Sequence, residues 1–276
     1  MAAAPGTVPV LILKEGTGRT TGREAQRNNI MAGKINAGSG KTTLVSSFSK
    51  WIEENEDKDV ARINLDPGAD KLPYKPNFDI REFFTLDSIM KEENLGPNGA
   101  LIRAVEKMVE MENEIKANIQ RINTHFRLVD LPGQLEPFIF YSGEKILKFF
   151  NQKRTLGIFL IPAEMFGVRE LVIAELLSLI VRMKFEIPTL NVLTKIDLIE
   201  KVEEVENYLR FPRKLRKKLE YIGGGVDREL VILVSRLLER MAKEQRIIKT
   251  SAKTGEGMKE LYDICYEVFC ACGDLS

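Results

Sequence analysis

The sequence predicts an α/β fold in which a mostly parallel sheet carries helices on both of its faces. Short apolar runs alternate with longer amphipathic stretches from Lys41 onward, a pattern typical of successive βαβ units. The chain has 276 residues, enough to bury a large core. No apolar run approaches the roughly 18 residues that a membrane span needs. These observations favour one α/β domain with room for an appendage.

The strands and helices alternate along the chain. The predicted strands are Val60–Leu65, Phe126–Val129, Thr155–Ile161, Pro188–Leu193 and Arg246–Lys249. The predicted helices are Thr42–Glu54, Ile80–Lys91, Asn98–Ile122, Gly143–Asn151, Val168–Lys184, Val202–Tyr221, Asp227–Lys243 and Glu256–Cys270. The stretch Asn98–Ile122 is longer than a crossover needs. Its apolar stripe fits its own sheet or a partner chain equally well.

Charge and cysteine content exclude several classes of function. The chain carries 41 Lys and Arg residues and 40 Asp and Glu residues, a formal net charge of +1. It therefore gives no direct signal for nucleic acid or for a membrane surface. The N-terminus Met1–Thr7 lacks the basic start of a secretory signal, and the cysteine count of three is odd. This combination predicts a reducing, cytoplasmic setting.

The run Gly38-Ser39-Gly40-Lys41-Thr42-Thr43 predicts a phosphate site, because it matches the second half of a P-loop. Glycines let backbone amides close around phosphate oxygens. Lys41 would bring a positive charge to the β- and γ-phosphates, and the Thr42 hydroxyl is a ligand for Mg²⁺. The fold class is therefore that of a P-loop NTPase.

Two further strands end in an acid. Phe126–Asp130 continues as Leu131-Pro132-Gly133-Gln134. There Asp130 would hold a magnesium-bound water, the Gly133 amide would sense the γ-phosphate, and Gln134 would orient the attacking water. The other acid, Asp66, is predicted to contact water or the metal; the alternative is that it only starts a turn before a proline.

Two tetrapeptides predict a guanine site. Thr194-Lys195-Ile196-Asp197 fits the pattern Asn/Thr-Lys-x-Asp, and Thr250-Ser251-Ala252-Lys253 follows the last strand. The Asp197 carboxylate can accept hydrogen bonds from guanine N1–H and the exocyclic amine, a donor pair that adenine lacks. The Lys195 stem can lie along the base, and a backbone amide of Ser251-Ala252-Lys253 can donate to O6. Both tetrapeptides follow strands, so they meet in one crevice and favour GTP and GDP as ligands.

The tripeptide Gly96-Pro97-Asn98 completes a specific set of motifs. The set also contains Gly38–Thr43, Asp130–Gln134, Thr194–Asp197 and Ser251–Lys253. Over residues 36–276 this combination resembles the GPN-loop GTPases, specifically those of archaeal type, and it implies a helical GPN-loop insertion in the fold.

The resemblance implies a homodimer in which Gly96, Pro97 and Asn98 of one subunit reach the γ-phosphate of the other. It also implies hydrolytic roles for Asp66 and Gln134. Eukaryotic relatives act in RNA polymerase assembly, which the resemblance offers as a partner. A simpler alternative for Asn98 is that it caps a helix.

The start of the P-loop departs from the usual pattern. A P-loop reads Gly-x-x-x-x-Gly-Lys-Ser/Thr, and Ile35 stands where the first glycine belongs. The preceding run Ala25–Lys34 is too polar for a buried central strand. We therefore predict that the first central strand is missing or substituted, either by Val8–Leu13 or by Asn29–Ile35.

Residues 1–35 resemble a different family. Val8–Thr17 and Thr21–Ile30 are similar to the start of an archaeal thermosome subunit, a group II chaperonin, where they form a strand and a helix. We predict an appendage over residues 1–35 and a GTPase domain over residues 36–276, joined near Ile35–Asn36. The alternative is a variant P-loop that tolerates an extra tail.

These predictions leave three functional hypotheses. The first is a dimeric enzyme that hydrolyses GTP to GDP and phosphate with magnesium, with Lys41 neutralising phosphate charge. The second is a nucleotide-gated binding or assembly factor with little intrinsic turnover. The third is a chimera whose nucleotide binding is impaired by the altered P-loop.

Overall fold

The computed structural model describes residues 8–14, 40–133, 138–164, 168–210, 214, 217, 226–241 and 247–273. These residues contain one seven-stranded parallel sheet. The strands are β1 Val8–Lys14, β2 Val60–Asn64, β3 Phe78–Asp79, β4 Phe126–Asp130, β5 Leu156–Pro162, β6 Thr189–Thr194 and β7 Ile247–Lys249. Their order is β3-β2-β4-β1-β5-β6-β7. The predicted parallel sheet is confirmed, and the short edge strand β3 is an addition to it.

The central strand of the sheet comes from the N-terminal segment. β1 pairs in parallel with β4 on one side and with β5 on the other, so that Leu11 lies opposite both Val129 and Gly157. The first central strand is thus substituted by Val8–Lys14, one of the two predicted arrangements. Pro9 has no amide hydrogen to donate, and it is tolerated near the start of the strand.

Helices cover both faces of this sheet. They are α1 Lys41–Asn55, α2 Leu86–Glu92, α3 Pro97–Glu110, α4 Glu112–Arg121, α5 Gly143–Leu147, α6 Val168–Phe185, α7 Val202–Arg210, α8 Val226–Met241 and α9 Met258–Gly273. Shorter helical turns are Ile80–Glu82, Gln152–Arg154 and Ile196–Leu198, and Phe138–Ser142 is π-helical. No helix in the described part of the chain is long and apolar enough to cross a membrane.

The strands feed two separate cores because successive side chains point to opposite faces. On β5, Ile158 and Leu160 join the core beneath α1 and α9. Phe159 and Ile161 join the larger core that receives residues of α2 to α7. This arrangement gives the three-layer packing expected of a parallel sheet with helices on both faces.

The predicted helix Asn98–Ile122 is two helices, α3 and α4, separated by Met111. Ala104, Met108, Ile115 and Ile119 of this pair lie in the larger core of the same chain. Of the two alternatives for the apolar stripe, packing on its own sheet is therefore the one observed.

Candidate phosphate and base site

The carboxyl ends of parallel strands lie at one edge of the sheet, and the functional residues collect there. β1 stands between β4 and β5, and α1 leads from the P-loop towards β2 on one side. The direction of the chain connections reverses at this point, which is where open α/β sheets bind ligands. β2, β4, β6 and β7 bring their following loops to the same crevice.

The P-loop enters α1 through Gly40 and Lys41. Gly40 is the residue before the helix and has φ 85° and ψ 17°, a left-handed conformation that glycine adopts without steric cost. Its carbonyl accepts the Leu44 amide at 2.7 Å, which begins the helical ladder. The following Lys41 is buried, while Thr42 is half-buried and Thr43 is exposed. The helix thus starts where phosphate would meet its free amides.

Lys41 lies between the two predicted acids. Its Nζ is 3.5 Å from Asp130 Oδ1 and 3.9 Å from Asp66 Oδ2. Asp130 is fully buried at the end of β4, and the Asp66 side chain is 14% exposed. The structure therefore brings together the lysine and both carboxylates, which lie far apart in the sequence.

Asp66 is held by a short network around the end of β2. Asn64 Oδ1 accepts the Asp66 amide at 3.1 Å, and the Gly68 amide donates to Asp66 Oδ1 at 2.9 Å. The Gly133 amide also donates to the Asp66 carboxylate. Asp66 therefore does start a turn, and it also faces Lys41; its contact with water or the metal stays a prediction. Burial raises the pKa of Asp66, and the positive charge of Lys41 offsets part of that rise.

The residues beside Lys41 fit a magnesium ion. Asp130 Oδ1 is buried and accepts no hydrogen bond, which is costly unless a ligand supplies a partner. Magnesium usually takes one or two carboxylates together with substrate phosphates and waters, rather than a full protein cage. The described residues contain no group of three or more His, Cys, Asp or Glu able to hold a metal by themselves. Thr42, Asp66 and Asp130 supply suitable oxygens.

The two base-site tetrapeptides meet as predicted. Ser251 Oγ donates to Asp197 Oδ1 at 2.7 Å, and the Thr250 amide donates to the Leu193 carbonyl at 2.8 Å. Thr194 is buried, whereas Asp197 is exposed and available to a ligand. Lys195 adopts a left-handed conformation with φ 59° and forms an ion pair with Glu164. The carboxylate that would read guanine is therefore fixed on one oxygen by Ser251.

A pocket of about 240 Å³ joins the base residues to the P-loop. Its lining residues come from both tetrapeptides and from the start of α1: Gly40, Thr43, Leu44, Thr194, Lys195, Asp197, Leu198, Thr250, Ala252 and Lys253. Ser47 Oγ donates to the Ala252 carbonyl at 2.9 Å, which links α1 to the base loop. At Gly257 a Cβ atom would lie 1.7 Å from the Lys249 carbonyl oxygen, so the base loop requires glycine there.

The tripeptide Gly96-Pro97-Asn98 lies apart from this pocket. All three residues are exposed, and none of them lines the pocket. Gly96 is the residue before α3, Pro97 is its first residue, and no side chain caps the helix. The alternative in which Asn98 caps its helix is therefore wrong, because the helix begins one residue before Asn98. The side-chain amide of Asn98 therefore does not cap the helix, and the residue is exposed.

Some predicted site residues cannot be compared with the structure, and some contacts were not predicted. Gly38, Ser39, Gln134 and Ile35 lie outside the described residues. Sequence reasoning missed Tyr74, whose hydroxyl donates to Asp130 Oδ2 at 3.3 Å, as well as Asn64 and Glu164. The polar Asn64 at the end of an apolar strand was a usable signal, whereas nothing local distinguished Tyr74.

Comparison with known proteins gives the family. A family model described as a conserved hypothetical ATP binding protein matches residues 35–271. A GPN-loop GTPase of Pyrococcus abyssi is 31% identical over 250 residues, which cover 87% of this chain and 97% of that protein. The chain belongs to the GPN-loop GTPase family. This family consists of P-loop proteins named for GTP hydrolysis, although the description of the family model names ATP.

Further GPN-loop relatives match a shorter region. GPN-loop GTPase 3 of Mycosarcoma maydis is 30% identical over a region covering 60% of this chain and 61% of that protein. The crystal structure of an apo GTPase from Pyrococcus abyssi has a TM-score of 0.76 at 27% identity, and the match covers 96% of this chain and 98% of that one. The GPN-loop fold therefore extends over nearly the whole chain.

Proposed function

We propose that this chain binds GTP with magnesium and hydrolyses it to GDP and phosphate. The observation that carries the proposal is the hydrogen bond from Ser251 Oγ to Asp197 Oδ1. It joins two guanine-reading motifs across one pocket that opens on the P-loop residue Gly40. The names of the relatives, GPN-loop GTPases, agree with guanine rather than adenine as the base.

The chain's own residues account for the main steps of the reaction. Lys41 offers positive charge to the phosphates, and the amides at the start of α1 add donors. Thr42, Asp130 and Asp66 would hold magnesium, which neutralises charge that develops on the phosphate oxygens. A water oxygen attacks the γ-phosphorus, the bond to the bridging oxygen breaks, and GDP leaves. Gln134 would orient that water.

Asp66 is suited to receive the proton of the attacking water. Its carboxylate is largely enclosed and lies 3.9 Å from Lys41 Nζ, so it stands beside the lysine that meets the phosphates. The Gly133 amide donates to the Asp66 carboxylate. If that amide turns to the γ-phosphate when GTP binds, one lone pair on Asp66 becomes available to the water. Nucleotide binding would then complete the catalytic arrangement.

We also propose that the enzyme is a homodimer in which Asn98 acts on the partner's γ-phosphate. The exposure of Gly96-Pro97-Asn98 and its absence from the pocket lining support this. Exposed apolar residues on α6 and α8 support a protein partner: Ile173, Ile180, Met183, Leu230, Leu233 and Leu237. The same residues favour a second candidate function, that of an assembly factor gated by nucleotide. A single-turnover GTPase rate that changes with a client would support that function.

The origin and setting of the chain stay predictions. We propose that residues 1–35 derive from a thermosome-like segment joined to a GTPase domain over residues 36–276. The start of the family match at residue 35 is consistent with a junction near Ile35–Asn36. A cytoplasmic setting, an archaeal origin and a role in RNA polymerase assembly rest on the sequence arguments alone.

Replacing Asp197 by Asn tests the base site. The amide would present a donor to the guanine N1–H donor, so we expect GTP affinity to fall roughly 100-fold or more. Xanthine carries an oxygen in place of the exocyclic amine, so the variant should gain affinity for xanthosine triphosphate. Fluorescent nucleotide titration and phosphate release measure both effects.

Asp263→Asn, on α9 where Asp263 pairs with Lys259, is the matched control and should leave the affinity for both nucleotides unaffected. Equal affinity of the natural chain for ATP and GTP would contradict the base-site assignment. Tight GTP binding without phosphate release in the presence of magnesium would support the nucleotide site and contradict the proposed hydrolysis.

A further inference from the structure

Tyr74 reaches the phosphate site from the segment between β2 and β3. Its hydroxyl donates to Asp130 Oδ2 at 3.3 Å, across 56 positions of sequence. The ring is partly buried against the core beneath α1. The neighbouring Pro73 carbonyl accepts Ser46 Oγ at 3.2 Å, which fastens this segment to α1. Tyr74 is therefore held in place by the packing of its ring, by its own hydrogen bond to Asp130 and by the hydrogen bond between Ser46 and Pro73.

The two oxygens of Asp130 have different surroundings. Oδ2 accepts the Tyr74 hydroxyl, whereas Oδ1 accepts no hydrogen bond and lies 3.5 Å from Lys41 Nζ. A donor fixed on one oxygen restricts rotation of the carboxylate and so determines the direction of the other. Tyr74 thereby turns Oδ1 towards the lysine, on the side where a phosphate and its cation would lie.

Tyr74 stays a neutral donor throughout the physiological pH range. Burial raises the pKa of its hydroxyl, and the negative charge of Asp130 raises the pKa further. Asp79 and Asp66 act in the same direction. A tyrosine hydroxyl has an ordinary pKa of about 10, so it carries its proton and can donate near neutral pH.

We propose that Tyr74 is a positioning residue for the divalent cation of the nucleotide. Its hydroxyl holds Asp130 so that Oδ1 stays directed to the side where the magnesium that accompanies GTP, or a water of that ion, would lie. The inference rests on the proposed function, since it concerns the cation of the same site. It assigns a cation-specific role to a residue outside the P-loop and outside the base motifs.

Tyr74→Phe tests the inference, because it removes the hydroxyl and keeps the ring. Binding of a fluorescent, non-hydrolysable GTP analogue is titrated in EDTA and over a range of magnesium concentrations. We expect the affinity in EDTA to stay within about twofold. The magnesium concentration that gives half of the full increase in affinity should rise roughly threefold to tenfold. A factor of this size corresponds to the net free energy of one hydrogen bond.

Tyr208→Phe is the matched control. The Tyr208 hydroxyl donates to Glu204 Oε1 at 2.8 Å on α7, away from the cation site, so its loss should not change the magnesium midpoint. Thermal unfolding of both variants is recorded in parallel. A fall in affinity that is equal in EDTA and in magnesium would assign Tyr74 a purely structural role and overturn the inference.

The remaining outcomes are also decisive. An unchanged magnesium midpoint, with normal GTP binding, overturns the inference alone. A lowered midpoint overturns it as well, because Tyr74 would then compete with the cation. If the natural chain binds no nucleotide in magnesium, both the proposed function and this inference fail. If it binds ATP in preference, the proposed function fails, and the comparison of the two chains is made with an ATP analogue.

Discussion

Glu175 is a buried carboxyl group at the contact between α6 and β6. Asn191 Nδ2 donates to its Oε1 at 3.1 Å, and Asn191 Oδ1 accepts Ser178 Oγ at 2.5 Å. Burial raises the pKa of Glu175 to about 7, although the Asn191 amide and the charge of Arg182 act to lower it. The strand that carries this asparagine leads directly to the base motif, so the protonation state of Glu175 affects how the base motif is held.

The raised pKa of Glu175 predicts that stability falls as pH rises. Below pH 4.5, the ordinary pKa that the group has in the unfolded chain, Glu175 is protonated in both states and the unfolding free energy does not change. Between 4.5 and about 7 the unfolded chain ionises while the folded chain does not, which favours unfolding. Relative to Glu175→Gln, the natural chain should lose about 2 to 3 kcal/mol of unfolding free energy between about pH 5 and about pH 8.

Urea unfolding of both chains at the two pH values measures this difference. The exposed Glu200→Gln controls for replacing a carboxylate outside the core, in the turn before α7. A free-energy difference between natural chain and Glu175→Gln that does not change with pH would contradict the pKa assignment. A change of the opposite sign would mean that the ionised form is the one the fold stabilises.

At the residue scale, the sequence predicted the groups that motifs define and missed those that only folding brings near. Asp130 ends one strand and Asp197 follows another, and Lys41 belongs to the P-loop motif, so the shared sheet edge made their meeting predictable. Tyr74 has no such pattern, because its contact depends on the path of the segment before β3. Glu175 sits in the interior of a helix, where its apolar neighbours gave no sign that it would be buried.

At the element scale, β1 determines whether the sheet is continuous. It is paired with β4 and β5 along most of its length, and without it these two strands would have no neighbour at the centre. The sequence predicted substitution of the first strand but left two segments open. It could not choose between them, because an apolar run such as Val8–Leu13 fits any buried strand position and strand order is a long-range property.

Removing residues 1–14 should therefore abolish cooperative folding. Removing β1 deletes the ladder hydrogen bonds to two neighbouring strands and opens the centre of the sheet, a loss that is large beside the roughly 5 to 15 kcal/mol stability of a typical domain. Thermal unfolding followed by circular dichroism would show a broad, non-cooperative change. A chain lacking only residues 1–7, which precede the strand, is the control and should unfold sharply.

Equal melting temperatures for the two truncated chains would contradict the position of β1. A sharp transition at a lower temperature would mean that another segment can take the central place. Nucleotide affinity of the surviving chain would then report whether the phosphate site depends on β1, which lies beside β4 and its Asp130 at the centre of the sheet.

The break between α3 and α4 shows the limit of periodicity arguments. The apolar stripe of Asn98–Ile122 continues across Met111, so nothing in its spacing marks an end. Met111 has φ −95° and ψ 17°, outside the helical range, and Glu112 begins the next helix. Packing of both helices on one core explains the bend, and a partner chain is not needed to bury the stripe.

At the scale of the whole molecule, the proposed homodimer would complete the site of each chain with the exposed tripeptide of the other. Asn98 faces outward at the start of α3, while Lys41 and Asp130 lie buried at the sheet edge. In a symmetric dimer each subunit gives its tripeptide to the other, so both sites are completed by the same contact. The sequence supplied this idea only through family resemblance, because no spacing within one chain can indicate a contact between two.

Mixing two inactive variants tests this arrangement. Lys41→Ala disables its own phosphate site, and Asn98→Ala disables the site of its partner. In a heterodimer the Asn98→Ala subunit keeps its lysine and receives an intact Asn98 from the other chain, so one of two sites is complete. Random pairing makes about half of the dimers mixed, and GTPase activity should recover to about a quarter of the natural value.

A mixture of Lys41→Ala with Asp197→Asn is the control: both changes act within their own subunit, so it should recover nothing. If Asn98 acts within its own chain, the first mixture will be as inactive as the second.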